Sequence, residues 1–278
     1  MFALRLVVRK TVVMFHGIWY YDRDPRESVA GRASAFVQKM TILLSHGSIA
    51  PGEIMKQWFY DLHGEVVRQK MVVIPNGVRD LKVKRNVRVR GKYGLEGPVS
   101  CLFFGAMFYR PNYESALALF NLSRRVSEKF MESTGRRLVF LVAGSGSERL
   151  PRSDCYIPLG FVEDLDEMYS LADFVVLAHT QTGTGPHVKT LYSFLSNVPV
   201  LATPEAVMDI PGIQDGVHYR GFSMEEPNTL SAALLELSAD AGASRQLASN
   251  ALTYVRGSTW RRIASQYLDL YRRILVAR

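Results

Sequence analysis

The stretch TGTGPHVKTLYSFLSNVPVLAT, residues 182–203, sets Gly183 and Gly185 ahead of Pro186, His187, Val188 and Lys189, then runs into a helical pattern and an apolar strand. The chemistry such a turn can do is anion binding. Pro186 suits the first helical position, because its ring fixes φ at a helical value and its missing N–H would have had no partner there; the Thr184 hydroxyl can accept a backbone hydrogen bond as a cap. The first turn then leaves the N–H groups of His187 and Val188 free, carries the positive end of the helix dipole, and adds the Lys189 ammonium, an arrangement suited to a phosphate oxygen. The same residues also suit a plain strand-to-helix turn in which glycine and proline serve only as punctuation. The surroundings must decide between the two.

Val188, Leu191, Phe194 and Leu195 recur at spacings of three and four and predict one buried helical face, with Asn197 as a left-handed cap before a strand over 198–203. From residue 99 onward strands and helices alternate: VSCLFFGA (99–106), a helix over 112–131, LVFLVAG (138–144), CYIPLG (155–160), a helix over 164–171, and DFVVLAH (173–179). Continuous apolar strands between amphipathic helices predict a parallel sheet covered on both faces, the doubly wound arrangement. Ligands of such sheets sit beyond the carboxyl ends of the strands. Gly105, Gly144, Gly146, Gly160, Gly183 and Gly185 all fall at those ends; each alone is an ordinary turn residue, and together they make one edge rich in closely approachable backbone.

The first 80 residues hold three strand-like runs, TVVMFHG (11–17), MTILLSHGS (40–48) and MVVIPNGV (71–78), a thin sheet that looks like part of something larger. The segment from Ser258 or Thr259 to Leu275 predicts a long amphipathic helix with Ile263, Tyr267, Leu270, Tyr271 and Ile274 on one side.

A formal charge of +8 concentrates in RDLKVKRNVRVRGK (79–92), with seven Lys or Arg, and raises nucleic acid or anionic lipid as partners. The run lacks interleaved aromatic residues, and no helix-turn-helix or zinc-finger spacing is present, so the expectation is a solvated linker first, an anionic membrane surface next, and no specific nucleic acid. No apolar run approaches the roughly 20 residues that span a bilayer, and the amino-terminal run is broken by Arg5, Arg9 and Lys10 without a small-residue cleavage site, so a cytoplasmic protein is expected, with peripheral membrane contact as the alternative. Cys101 and Cys155 sit in apolar runs and are expected as two buried free thiols; no zinc-ligand cluster appears.

In this order, VVIPNGV, LFFGAMFYRPNYESALALF, FLVAGSG, YIPLGFVEDLDEMYSLADFVVLA and GTGPHVKTLYSFLSNVPVLAT resemble the group 1 glycosyltransferases of GT-B fold, over about residues 11–275. The resemblance implies an α/β protein of two facing Rossmann-like domains: a partial N-terminal, acceptor-side α/β domain (1–90), a complete doubly wound nucleotide-sugar-binding domain (91–258), and a final helix (259–278) crossing back to the first. It further implies transfer of a sugar with retention of configuration, a nucleotide-sugar as substrate, no cofactor and no required metal. The acceptor stays open among glycan, lipid and small molecule.

Carried over position by position, His16 matches the histidine that ends an N-domain strand and faces the donor's sugar and phosphate, the catalytic candidate; a lone histidine after a strand is equally a structural turn residue. Lys189 matches the lysine that offsets diphosphate charge. The donor-binding set is then Gly105, Arg110, Gly144, Gly183, Thr184, Gly185, His187, Val188, Lys189 and Tyr192. Three departures stand out. Ala106 replaces the family's usual arginine, with Arg110 as a stand-in for a nearby lysine. Thr184 and Tyr192 occupy the places of a paired acid, and a phenol accepts a weaker hydrogen bond from a ribose than a carboxylate does, unless Tyr192 simply packs on the sheet. Family members also begin with a further glycine-rich stretch. Three functions follow: an active sugar transferase, a weakened or partner-dependent relative that binds a nucleotide or needs a completing polypeptide, or a basic protein of membranes or nucleic acid.

Overall fold

The computed structural model describes residues 10–17, 27–79, 83–84, 86, 88–179 and 188–276. Among them the strands form two parallel sheets. The smaller has the order β1-β2-β3, from β1 (Val12–Met14), β2 (Gly47–Ala50) and β3 (Met71–Val73). The larger has six strands in the order β6-β5-β4-β7-β8-β9: β4 (Val99–Phe104), β5 (Leu138–Ala143), β6 (Tyr156–Gly160), β7 (Phe174–Leu177), β8 (Val200–Ala202) and β9 (Arg220–Gly221).

The apolar runs make this sheet double-sided because successive side chains alternate across it. Cys101, Phe103, Phe140 and Val142 share a core with Leu119, Val126 and Phe130 of α5 (Arg110–Thr134) and with Leu230 and Leu234 of α9 (Pro227–Ala239). Leu102, Leu141, Val175 and Leu177 share another with Val89 of α4 (Val89–Lys92), Met168 of α6 (Leu165–Ser170), Leu191 and Phe194 of α7 (Val188–Leu195), and Val255 of α10 (Ala241–Arg256). Burying each such Leu, Val or Phe contributes about 1.5–3 kcal/mol, so helices on both faces are what such strands require. Pro111 in the first turn and left-handed Gly135 at the end fix the bounds of α5.

One face of the small sheet packs on α1 (Val29–Leu44), α2 (Glu53–His63) and α3 (Glu65–Lys70) through Ile42, Met55, Phe59 and Val67. The other face is covered by α11 (Trp260–Val276), whose Ile263, Leu270 and Ile274 pack with Ile49 and Ile74. A backbone bridge starts that crossing: Val78 N–H donates to the Ser258 carbonyl and Trp260 N–H to the Val78 carbonyl, each at 2.9 Å. Tyr271, expected on the packed side, is 41% exposed instead. The helix turns 100° per residue, and Leu270 already fills the contact there.

A second link joins the sheets. Asp209, after the short α8 (Pro204–Val207), accepts the N–H groups of Ile54 (3.0 Å) and Met55 (3.3 Å), capping α2, whose own N-cap, Gly52, has no side chain to do so. Asp209→Ala is therefore expected to lower stability by about 0.5–2 kcal/mol, with Asp209→Asn losing less. Urea melts of the three proteins check it; equal midpoints would show that the cap contributes nothing.

The basic run is partly structural. Val89 is buried, and the Arg90 guanidinium donates to the carbonyls of Leu95, Pro98 and Leu171, to the Ser100 hydroxyl and to Asp173. A cation with its donors so engaged anchors the segment to the large sheet.

Other expectations are corrected. The 40–48 run is not one strand: residues up to Leu44 complete α1, and β2 starts at Gly47. A short apolar run has no period to separate helix from strand, and Ile42 is buried from a helix as readily as from a strand. Cys101 is buried and Cys155 only partly so; both are free. Strand β9 and helices α9 and α10 went unread, β9 because two residues carry no pattern. Among the described residues no helix is long and apolar enough to cross a membrane.

Candidate functional site

The strand order reverses between β4 and β7, and at such a reversal the carboxyl edge of a parallel sheet is where a ligand crevice is expected. Backbone builds its floor. Gly105 N–H, just past β4, donates to the Ala143 carbonyl (3.0 Å); Gly144 N–H, past β5, donates to the Gly160 carbonyl (2.7 Å); Met107 N–H reaches the Ser145 carbonyl (2.9 Å). Glycine shapes the packing at two positions. Gly144 has φ +129°, and a Cβ there would overlap the Gly105 carbonyl. A Cβ on Gly105 would come within 2.7 Å of the Asn112 amide nitrogen.

Asn112 is in the first turn of α5 and is 8% exposed. Its Nδ2 donates to the Ala106 carbonyl (3.1 Å), and its Oδ1 accepts from Lys189 Nζ (2.7 Å). Lys189 lies in the first turn of α7, partly buried, with its ammonium 5.2 Å from the centroid of the Phe103 ring. No carboxylate among the described residues pairs with it. Removal from water without a counter-charge pulls its pKa down to about 7. A neutral amide and an aromatic face offset part of the desolvation cost, and an incoming anion would offset more.

The other predicted residues are distributed unevenly. Arg110 starts α5 but turns outward, its side chain 75% exposed and its Nε donating to Glu114 (2.6 Å). Val188 is 42% exposed, contrary to the expected buried face. Thr190 takes the inward place instead, buried with its hydroxyl donating to the Ala206 carbonyl (2.7 Å). Tyr192 is partly buried and packs against the core that holds Leu191 and Leu195. His16 is exposed two residues past β1, on the other sheet, next to Phe15, whose ring packs 4.6 Å from Phe59. Gly183, Thr184, Gly185 and His187 lie outside the described residues.

Asn112 and Phe103 went unread as site residues. A signal for Asn112 existed: it leads the inward stripe of α5 that continues through Ala116, Leu119, Val126 and Phe130, a place where an amide needs a polar partner. Phe103 carried none, being one of several apolar residues in a buried strand.

Residues 98–240, just over half of the chain, match the family model described as glycosyl transferases group 1. No curated protein matches. Among solved structures, Anabaena Alr3699/HepE in complex with UDP superposes with a TM-score of 0.74 at 17% identity, over 98% of this chain and 73% of that one. Sucrose-phosphate synthase from Thermosynechococcus elongatus gives 0.71 at 18% identity, over 100% and 71%. A UDP-forming alpha,alpha-trehalose-phosphate synthase from Burkholderia xenovorans gives 0.72 at 10% identity, over 99% and 71%. These likenesses show the GT-B fold.

Proposed function

We propose that this chain, which belongs to the group 1 glycosyl transferases, holds the diphosphate of a nucleotide-sugar at the β4–β7 crevice and transfers the sugar, with retention, to an acceptor bound toward the smaller sheet. The observation that carries this reading is Lys189: a desolvated ammonium at the switch point, held by a neutral amide and, among the described residues, left without a counter-charge. As the bond between the sugar's anomeric carbon and the diphosphate breaks, negative charge grows on the leaving phosphate, where a preplaced ammonium lowers the barrier. The first turn of α7, which carries Lys189, adds the positive end of a helix dipole at the same place. His16 would meet the sugar from the other sheet, its imidazole bonding a hydroxyl. Uridine is the first base to try, since HepE is known in complex with UDP and with UDP-glucose. The domain limits at 90/91 and 258/259, the absence of a metal requirement and contact with an anionic membrane belong to the same proposal.

Calorimetry with UDP and UDP-glucose tests it. Millimolar ligand giving neither heat nor a thermal shift would sink the donor reading. A second reading, binding without turnover, is favoured by Tyr192, a phenol packed on the core at the place of the family's acid. Product analysis with radiolabelled sugar separates the two.

The affinity should also depend on pH. Lys189, with a pKa lowered to about 7 in the free protein, must be charged to pair with diphosphate, and pairing raises that pKa. Its contribution is therefore full below about pH 7 and is lost as pH rises above it. UDP-glucose, whose phosphates do not titrate in this range, should bind about tenfold more weakly at pH 8.5 than at pH 6.5. A flat profile would remove Lys189 from the site.

A further inference from the structure

We infer that Asn112 is the positioning residue of the site: a neutral amide that fixes the Lys189 ammonium over the crevice while leaving its charge uncancelled for the ligand. This rests on the donor reading above. Both ends of the amide are assigned by their partners, because the Ala106 carbonyl can only accept and the ammonium can only donate. Nδ2 therefore faces Ala106 and Oδ1 faces Lys189, and the side chain has no freedom to flip. It is nearly buried and packs against Gly105, where an added Cβ would come within 2.7 Å of its amide nitrogen.

The choice of amide over acid has a consequence. An aspartate of the same shape could also bond Lys189, though its second oxygen would face the Ala106 carbonyl with no proton to share, and as an ion pair it would hold the ammonium protonated and cancel its charge toward a phosphate. Asn112 supplies the geometry of that pair without its charge. Around Lys189 stand the Phe103 ring from β4, Asn112 from α5 and the rest of α7. Among the described residues no other charged or titratable group shifts it, and burial alone accounts for its lowered pKa. His187, its near neighbour in sequence, lies outside the described residues.

The experiment compares wild type with Asn112→Asp and Asn112→Ala by two readouts. Trace acetylation across pH 5–10, followed by peptide mass spectrometry, gives the pH at which Lys189 becomes reactive without any ligand; calorimetry at pH 6.5 gives UDP affinity. Asn112→Asp should move the labelling midpoint upward by about two pH units and weaken UDP binding about tenfold or more at pH 6.5. Asn112→Ala should leave the midpoint at or below that of wild type and weaken UDP binding about five- to twentyfold, because the ammonium is no longer held. Far-ultraviolet dichroism identifies any variant that fails to fold. An unmoved midpoint in Asn112→Asp overturns the inference. Wild type that binds no UDP overturns the donor reading instead, and the labelling shift still decides whether Asn112 places Lys189.

Discussion

Replacing Lys189 with alanine is expected to weaken UDP and UDP-glucose binding ten- to hundredfold at pH 6.5. The basis is the loss of a charge-assisted hydrogen bond to phosphate, worth about 1.5–3 kcal/mol. Stability should change little. The ammonium spends desolvation energy in the free protein, as its lowered pKa records, and gives back one hydrogen bond to Asn112 and a contact with the Phe103 ring. Removing it relieves the first while losing the second. Lys189→Ala should also abolish the pH dependence for UDP-glucose, whose phosphates do not titrate in this range, so that its affinities at pH 6.5 and pH 8.5 converge. Titration of both proteins at both values provides the check, and an unchanged affinity would refute the phosphate role.

The largest loss of stability is expected from Gly144→Ala. The residue sits at φ +129°, a region nearly closed to other residues, and its Cβ would overlap the Gly105 carbonyl, a backbone atom fixed by the strand beneath it. Neither conflict can be relieved by a rotamer. The cost should exceed about 3 kcal/mol. Gly135→Ala is the matched control: φ is +68°, nothing lies within 4 Å of the added methyl group, and the loss should be only about 1–2 kcal/mol. Urea melts of both variants against wild type measure the difference. Equal losses would mean that the backbone at the crevice gives way freely, and the close packing of Gly105 against Gly144 would then have no part in shaping the site.

The sequence by itself determined five of the six strands of the large sheet. Runs such as VSCLFFGA and LVFLVAG are too apolar to have a wet face, and helices with a stripe on one side are what can cover them, so chain order and composition were enough. It also placed Gly105, Gly144, Gly146 and Gly160 at or just past strand ends, since strand ends are local features. The 40–48 run resisted, because helix and strand bury a short apolar segment equally well and only packing against Met55 and Phe59 selected a helix up to Leu44. The site was legible where chemistry and position coincide in sequence, as at Lys189. It was illegible where the chain brings distant residues together. Asn112 and Lys189 meet across 77 positions, and Asp209 reaches 155 positions back to cap α2. A side chain's partner, and hence whether a charge is cancelled or kept available, depends on tertiary distance alone. Arg110 makes the same point in reverse: its type suits phosphate, but the first turn of α5 faces it outward toward Glu114, while the amide two residues later faces Lys189.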